Sequence, residues 1–347
     1  MAGRAEKFKE DLDAYLTFQR DCNGRVLGAA DVDFEDFLGF LDVEFYLDLR
    51  GSQTWSDDGN ETQVLVKTLI AQILTERTPP PTEVPEVYRR FAEGLEPQDT
   101  IVTFNYDILL ERALDLIKKP FRLFPRRYRS VRRGTADVDS SQEEVKILKL
   151  HGSVDWFDRK RYRQLEEARS AQGFGSPVDP IFNRKDIRVT SVVDGPRLPD
   201  DPLQEMHRVL NVEDLYKDPP MFIATPWLLN PSSMRLLFAA PVKEFWGEIG
   251  RDGLANLGMA IVGYSLPLHD DYARQVIYRL VKNYQSPHWR EVLGRAKTPL
   301  VLVDYRQSEP ALNTLRERYR FVDWSNPRCC FDGFNDDVLP LLVSRQE

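Results

Sequence analysis

Five short apolar runs, each closing on a glycine, a proline or a small polar group, constrain this chain more than any other feature. They are "DTIVTFNYD" (99–107), "EVKILKLHGS" (144–153), "PMFIATP" (220–226), "GMAIVGYSLP" (258–267) and "TPLVLVDY" (298–305). A sixth, "YRFVDW" (319–324), has a weaker pattern. Runs this short, rich in Val and Ile and apolar on successive positions, fit strands buried on both faces of a parallel sheet. Helical patterns stand between them: "DILLERALDLI", "PSSMRLLFAAPVKEFWGEIGRDGLANL", "DDYARQVIYRLVKNY" and "EPALNTLRERY". Alternation of strand and helix predicts a doubly wound α/β domain.

The first hundred residues have a different texture. "KFKEDLDAYLTFQRDC", "DVDFEDFLGFLDVEFYLDL", "ETQVLVKTLIAQILTER" and "VPEVYRRFAEGL" carry apolar residues at three- and four-residue steps. That spacing predicts four helices, the third ended by the prolines of "TPPPTEVP". The expected organisation is a helical region over 1–98 packed on a Rossmann-like core over 99–347. Insertions are expected at about 121–144 and 157–219, where basic runs and Gly- and Pro-dotted loops break the alternation.

Composition excludes several classes. The net charge of −8 argues against a global nucleic-acid footprint. The basic runs "RRYRSVRRG" and "RKRYR" read first as solvated loop faces, and a nucleic-acid partner is disfavoured. Three cysteines, Cys22, Cys329 and Cys330, give neither a disulfide framework nor the paired spacing of a zinc site. No run reaches the ~18 uninterrupted apolar residues of a membrane span, and the charged start has no apolar signal core. A cytoplasmic protein without a metal site or membrane partner is the expectation.

In open α/β sheets, ligands bind beyond the carboxyl ends of the strands. The first run ends in Thr103, Phe104, Asn105, Tyr106 and Asp107, the second in His151, Gly152 and Ser153. The fourth ends in Gly263, Tyr264 and Ser265 with Asp270 beyond, and the fifth in Asp304 and Tyr305. This set suits a ligand with ribose hydroxyls and a phosphate. Asn105 and Asp107 read equally well as helix caps. His151 emerges at a strand end rather than from a helix stripe, where an imidazole can serve as a base near neutral pH. Gly263 fits a tight turn as well as a backbone approach.

Together "TFNYD", "KLHGSVDW", "FIATPWLLN" and "IVGYSLPLHD" resemble the SIR2-like family, relatives of the NAD-dependent sirtuins, and especially its bacterial defence branch. The likeness runs from about residue 30 to residue 325. It implies a Rossmann-like parallel sheet and chemistry at the N-glycosidic bond of NAD+, the substrate. By resemblance, Asn105, Asp107 and His151 are the catalytic group. Thr103, Phe104, Tyr106, Gly152, Gly263, Tyr264, Ser265, Asp270, Asp304 and Tyr305 are the nucleotide-binding group. The implied activity is NAD+ hydrolysis by an NAD+-depleting antiphage effector, partnered by further copies of itself or by a defence-system protein. Two departures bear on that reading. Deacylating sirtuins carry a four-cysteine zinc module, which three cysteines cannot build, so protein deacylation is disfavoured. The family's opening Gly-Ala-Gly-x-Ser β-α unit is not found in this sequence. Its loss would leave an open strand edge and favours the alternative of an NAD+- or ADP-ribose-binding module or scaffold with impaired catalysis.

Overall fold

The protein was examined as a computed structural model, and the structure describes residues 2–49, 59–97, 99–173, 181–217, 225–232, 234–252, 256–268, 270–288 and 297–343. It is mixed α/β with parallel sheets. The chain divides into two compact units. The first holds 1–79, 100–108 and 122–243, the second 80–99, 109–121 and 244–347.

The first unit opens with three helices. They are α1 (Ala2–Asn23), α2 (Phe34–Tyr46) and α3 (Glu61–Arg77). Asp33 caps α2 by accepting from the N–H groups of Glu35 and Asp36 at 2.9 and 3.0 Å. Asn60 and Gln63 form a reciprocal capping box at the start of α3. The apolar stripe buries Tyr15, Phe37, Leu38, Leu41 and Val66 in one cluster. Tyr15 meets Phe37 and Phe40 edge-on, both at 5.5 Å between ring centroids, the arrangement that ring quadrupoles favour.

Strand β1 (Thr100–Thr103) follows; the next two strands are β2 (Phe121–Arg122) and the first arm, β3 (Tyr128–Arg132), of an antiparallel hairpin with β4 (Thr135–Val138). Strand β5 (Val145–Lys149) runs parallel to β1 with Thr100 opposite Lys146 and Thr103 opposite Lys149. Among the described residues the three-stranded order is β1-β5-β2, with β1 outermost and Val102 37% exposed. Two arginines of the basic run are partnered: Arg127 with Glu144 and Asp194, Arg129 with Asp139.

The stretch expected as a long looped insertion has structure of its own. Strands β6 (Trp156–Asp158), β7 (Val189–Ser191) and β8 (Met206–Val209) form an antiparallel sheet in the order β6-β8-β7. Helices α6 (Arg159–Ala171) and α7 (Val212–Lys217) complete it. Phe157, Tyr162, Ile187, Val209 and Tyr216 pack with Val154, Ile108 and Leu228 in one core. The strand expected in "PMFIATP" falls largely on residues outside the described ones.

The second unit holds α4 (Glu86–Gly94), α5 (Leu109–Leu116), α8 (Lys243–Asp252), strand β9 (Ala260–Val262), α9 (Asp271–Tyr284), strand β10 (Val301–Val303), α10 (Glu309–Arg318), strand β11 (Arg328–Cys330) and α11 (Leu339–Val343). The sheet is parallel in the order β11-β10-β9, which leaves β9 at an edge with Val262 41% exposed. Val301, Val303 and Val338 form its small core. The Lys119 ammonium closes the end of α4 by donating to the carbonyls of Ala92, Glu93 and Leu95 at 2.6 to 2.8 Å. Two expectations are corrected. "YRFVDW" is no strand: Val322 N–H donates to Tyr319 O, closing a turn after α10, and the strand is Arg328–Cys330. The helical pattern of 231–257 is not one helix: its described residues hold two short 3-10 turns, Arg235–Phe238 and Ala240–Val242, before α8. Pro241, which lacks a backbone donor, prevents a continuous helix there.

His207 on β8 supplies a test of the insertion. Its Nδ1 donates to Glu205 O at 2.9 Å and its ring meets Phe182 edge-on at 5.3 Å. Burial holds its pKa below the ordinary 6.5. The unfolded chain therefore takes up a proton first as pH falls, so stability present above that value is lost below it. Urea unfolding at pH 7.5 and pH 5.5 is expected to show this loss in the wild type and a smaller one in His207→Gln.

Candidate functional site

The parallel register of β1 and β5 sends both strands out at the same sheet edge. Beyond them the two exits are tied together. Leu150 N–H donates to Thr103 O at 2.9 Å, and Val154 N–H to Tyr106 O at 3.0 Å. Ser153 Oγ donates to the same Tyr106 carbonyl at 3.4 Å. Lys149, the last residue of β5, is fully buried and donates from Nζ to Asp107 O. A lysine reads as an ordinary strand residue in "EVKILKLHGS"; nothing in the spacing marks it as the group that holds the Asn105–Asp107 turn.

His151 sits in this tie and is 4% exposed. The Phe104 ring meets it edge-on at 5.0 Å, and the Tyr106 ring lies tilted at 6.2 Å. Tyr106 is fixed in turn, its hydroxyl donating to Leu229 O at 2.6 Å. Leu229 N–H donates to His151 O at 2.9 Å, and Leu228 bridges Gly152 in antiparallel fashion. The segment after residue 225 therefore lines the histidine's backbone, a role that "FIATPWLLN" does not announce.

Asn105 differs from its neighbours. Its backbone N–H donates to Thr103 Oγ1 at 3.1 Å, but its side chain is exposed and makes no hydrogen bond among the described residues. Helix α5 begins only at Leu109. Of the two readings of Asn105, cap and ligand group, the exposed amide leaves the second in place. Asp107 is half-buried one residue before Ile108.

The second unit places the remaining candidates on adjacent parallel strands. Gly263 ends β9 at φ +65°, donates its N–H to Val303 O at 2.8 Å, and has open space where a Cβ would stand. Tyr264 donates from its hydroxyl to Asp270 Oδ2 at 2.9 Å; burial, with the Asp270 charge beside it, pushes the phenol far above its ordinary pKa. Ser265 O accepts from Arg318 at 3.1 Å and Tyr264 O from Tyr319 at 2.7 Å. The Asp304 carboxylate accepts from Tyr305 N–H at 2.7 Å and from Arg306 at 3.1 Å. Tyr305 is 61% exposed. So Thr103, Phe104, Asn105, Tyr106, Asp107, His151 and Gly152 come together in one unit, while Gly263, Tyr264, Ser265, Asp270, Asp304 and Tyr305 belong to the other. Among the described residues, no group of three or more His, Cys, Asp or Glu is arranged to hold a metal ion, and no helix is long and apolar enough to cross a membrane.

Gly152 gives the geometry its sharpest test. It adopts φ +86°, and a Cβ there would overlap Trp227 O and stand 2.8 Å from Trp227 Cε3. An L-residue in this backbone region costs about 1–2 kcal/mol before any clash. Gly152→Ala is expected to lower the urea midpoint by more than that penalty alone, with Gly134→Ala, at φ +81° in open space, as the strain-only control.

The model of the SIR2-like domain family matches residues 99–172, the stretch that runs from β1 through His151 into α6. No curated protein matches the chain. The likeness to the SIR2-like domain family is thus carried by residues 99–172.

Proposed function

We propose that the protein hydrolyses NAD+ at the N-glycosidic bond, releasing nicotinamide and leaving ADP-ribose. The observation that carries the reading is the uncommitted, exposed Asn105 amide and the buried, aromatic-flanked His151 on the exits of two paired parallel strands. In this reaction the bond from ribose C1′ to the nicotinamide nitrogen breaks, and the electron pair goes to the ring, which leaves neutral. Positive charge develops on the ribose. The half-buried Asp107 carboxylate stabilises that charge electrostatically. The Asn105 amide orients the attacking water, and His151 takes its proton as the new C1′–oxygen bond forms. Gly263 and Ser265 are assigned to phosphate or ribose, and Asp304 and Tyr305 to the adenosine end. An effector that depletes NAD+ in antiphage defence, working in the cytoplasm as an assembly, is the biological role this reading implies.

One observation favours a second reading. The near-complete burial of His151 suits a nucleotide-binding module without turnover as well as it suits a base. The two readings separate in one experiment. Purified protein is incubated with NAD+, nicotinamide is followed by chromatography, and ADP-ribose binding is measured by calorimetry. Hydrolysis predicts nicotinamide release that falls about 10²-fold or more in His151→Ala and falls likewise in Asn105→Ala, with both variants folded by circular dichroism. Saturable binding with no release selects the module. Full turnover in both variants removes the site assignment.

A further inference from the structure

The first unit hides a carboxylate that no step above uses. Asp42, on α2, is fully buried. Its Oδ1 accepts from Gln63 Nε2 on α3 and from Asn230 Nδ2 at 3.2 Å, and its Oδ2 accepts from Ser232 Oγ. Burial raises the Asp42 pKa above the ordinary carboxylate value; the Ser232, Asn230 and Gln63 bonds and the charge of Lys67, one turn along α3 from Gln63 and also buried, act against that rise. Every named partner donates to the carboxylate, the pattern that suits its ionised form. Gln63 serves twice, since its Oε1 accepts the Asn60 N–H of the α3 capping box at 2.7 Å.

The partners on the far side are the point of interest. Asn230 and Ser232 immediately follow Leu229, whose N–H donates to His151 O and whose carbonyl accepts from the Tyr106 hydroxyl. We infer that Asp42 is a positioning residue for His151: it clamps the segment Leu228–Ser232 onto α2 and α3, and so sets both hydrogen bonds that fix the histidine backbone and the Tyr106 ring beside it. Among its hydrogen-bond partners His151 is not one, and the link runs through Leu229. Stability by itself gives little reason for such a group. A buried ionised cluster can often be replaced by apolar side chains without loss of stability, whereas its directed bonds specify a single arrangement. The inference rests on the reading of His151 as the central group of the site.

The test reads the histidine directly and needs no nucleotide. The chain has four histidines, so the imidazole C2–H proton resonances are few, and His151→Gln identifies the one that belongs to His151. Asp42→Asn retains the shape but turns an amide donor toward groups that already donate. It is expected to displace the His151 resonance and to leave that of His207, in the antiparallel sheet, in place. Ser232→Ala removes one bond only and is expected to displace the same resonance less, which keeps the test open if Asp42→Asn does not fold. Nicotinamide release is expected to fall about 10- to 100-fold in kcat with KM little changed, as for a misplaced catalytic group. An unmoved His151 resonance in folded Ser232→Ala and Asp42→Asn overturns the inference, as does an equal displacement of all four signals. A displaced His151 resonance in a protein that releases no nicotinamide upholds the positioning role and refutes the hydrolase reading.

Discussion

The candidate site depends first on a lysine buried away from the surface. Lys149 is fully buried, and its ammonium is held against the Asp107 carbonyl. A cation in such a place is tolerated only where acceptors meet it, so the turn after β1 has to bring its carbonyls inward. The register makes this possible, because Thr103 and Lys149 face each other as the last pair of the two strands. Tyr106 O is then drawn to Val154 N–H and Ser153 Oγ. With the backbone of residues 103–107 committed to β5 and its exit, the Asn105 side chain is left facing solvent.

Much of this was legible in the sequence, and the reason is specific. Val- and Ile-rich runs such as "TIVT" and "VLV" give themselves away because a parallel strand has two apolar faces to fill. The residues that follow such strands are therefore placed as soon as the strands are. The Gly152 requirement was not legible. It comes from Trp227, a residue 75 positions on in the chain (227 − 152), packing its carbonyl against that backbone. Lys149 and Asp42 were missed for a related cause: burial of a charge depends on donors and acceptors from distant segments, and periodicity carries no trace of them. The antiparallel sheet of the insertion escaped because its strands are three or four residues long, too short for alternation to register. "YRFVDW" failed in the opposite sense, since its apolar residues close the end of α10 rather than join a ladder.

The two units treat their polar strand ends differently. In the second unit the carboxylates are engaged at home: Asp270 with Tyr264, Asp304 with Arg306 and its own loop. At Gly263 the N–H is likewise engaged, by Val303 O, and what stands open is the space a Cβ would fill. In the first unit the available group is a side-chain amide. Backbone N–H groups and fixed dipoles suit phosphate, while a free amide suits a hydroxyl or a water.

A histidine buried as deeply as His151 cannot be corrected by solvent. Its ring is set by Phe104 and Tyr106, and its backbone by Leu229. Any base that acts on one water must stand within hydrogen-bond reach of it, so the tolerance for drift in those neighbours is small. The sheet register secures Phe104 and Tyr106 from below. Leu229 meets the strand exits through His151 O and the Tyr106 hydroxyl, beside the bridge at Gly152. The helical region of the first unit supplies a further restraint, through Gln63 and Asp42 to Asn230 and Ser232. The amphipathic helices of the first eighty residues thus have a second task beside covering apolar surface: they hold, at one carboxylate, the loop on which the histidine rests.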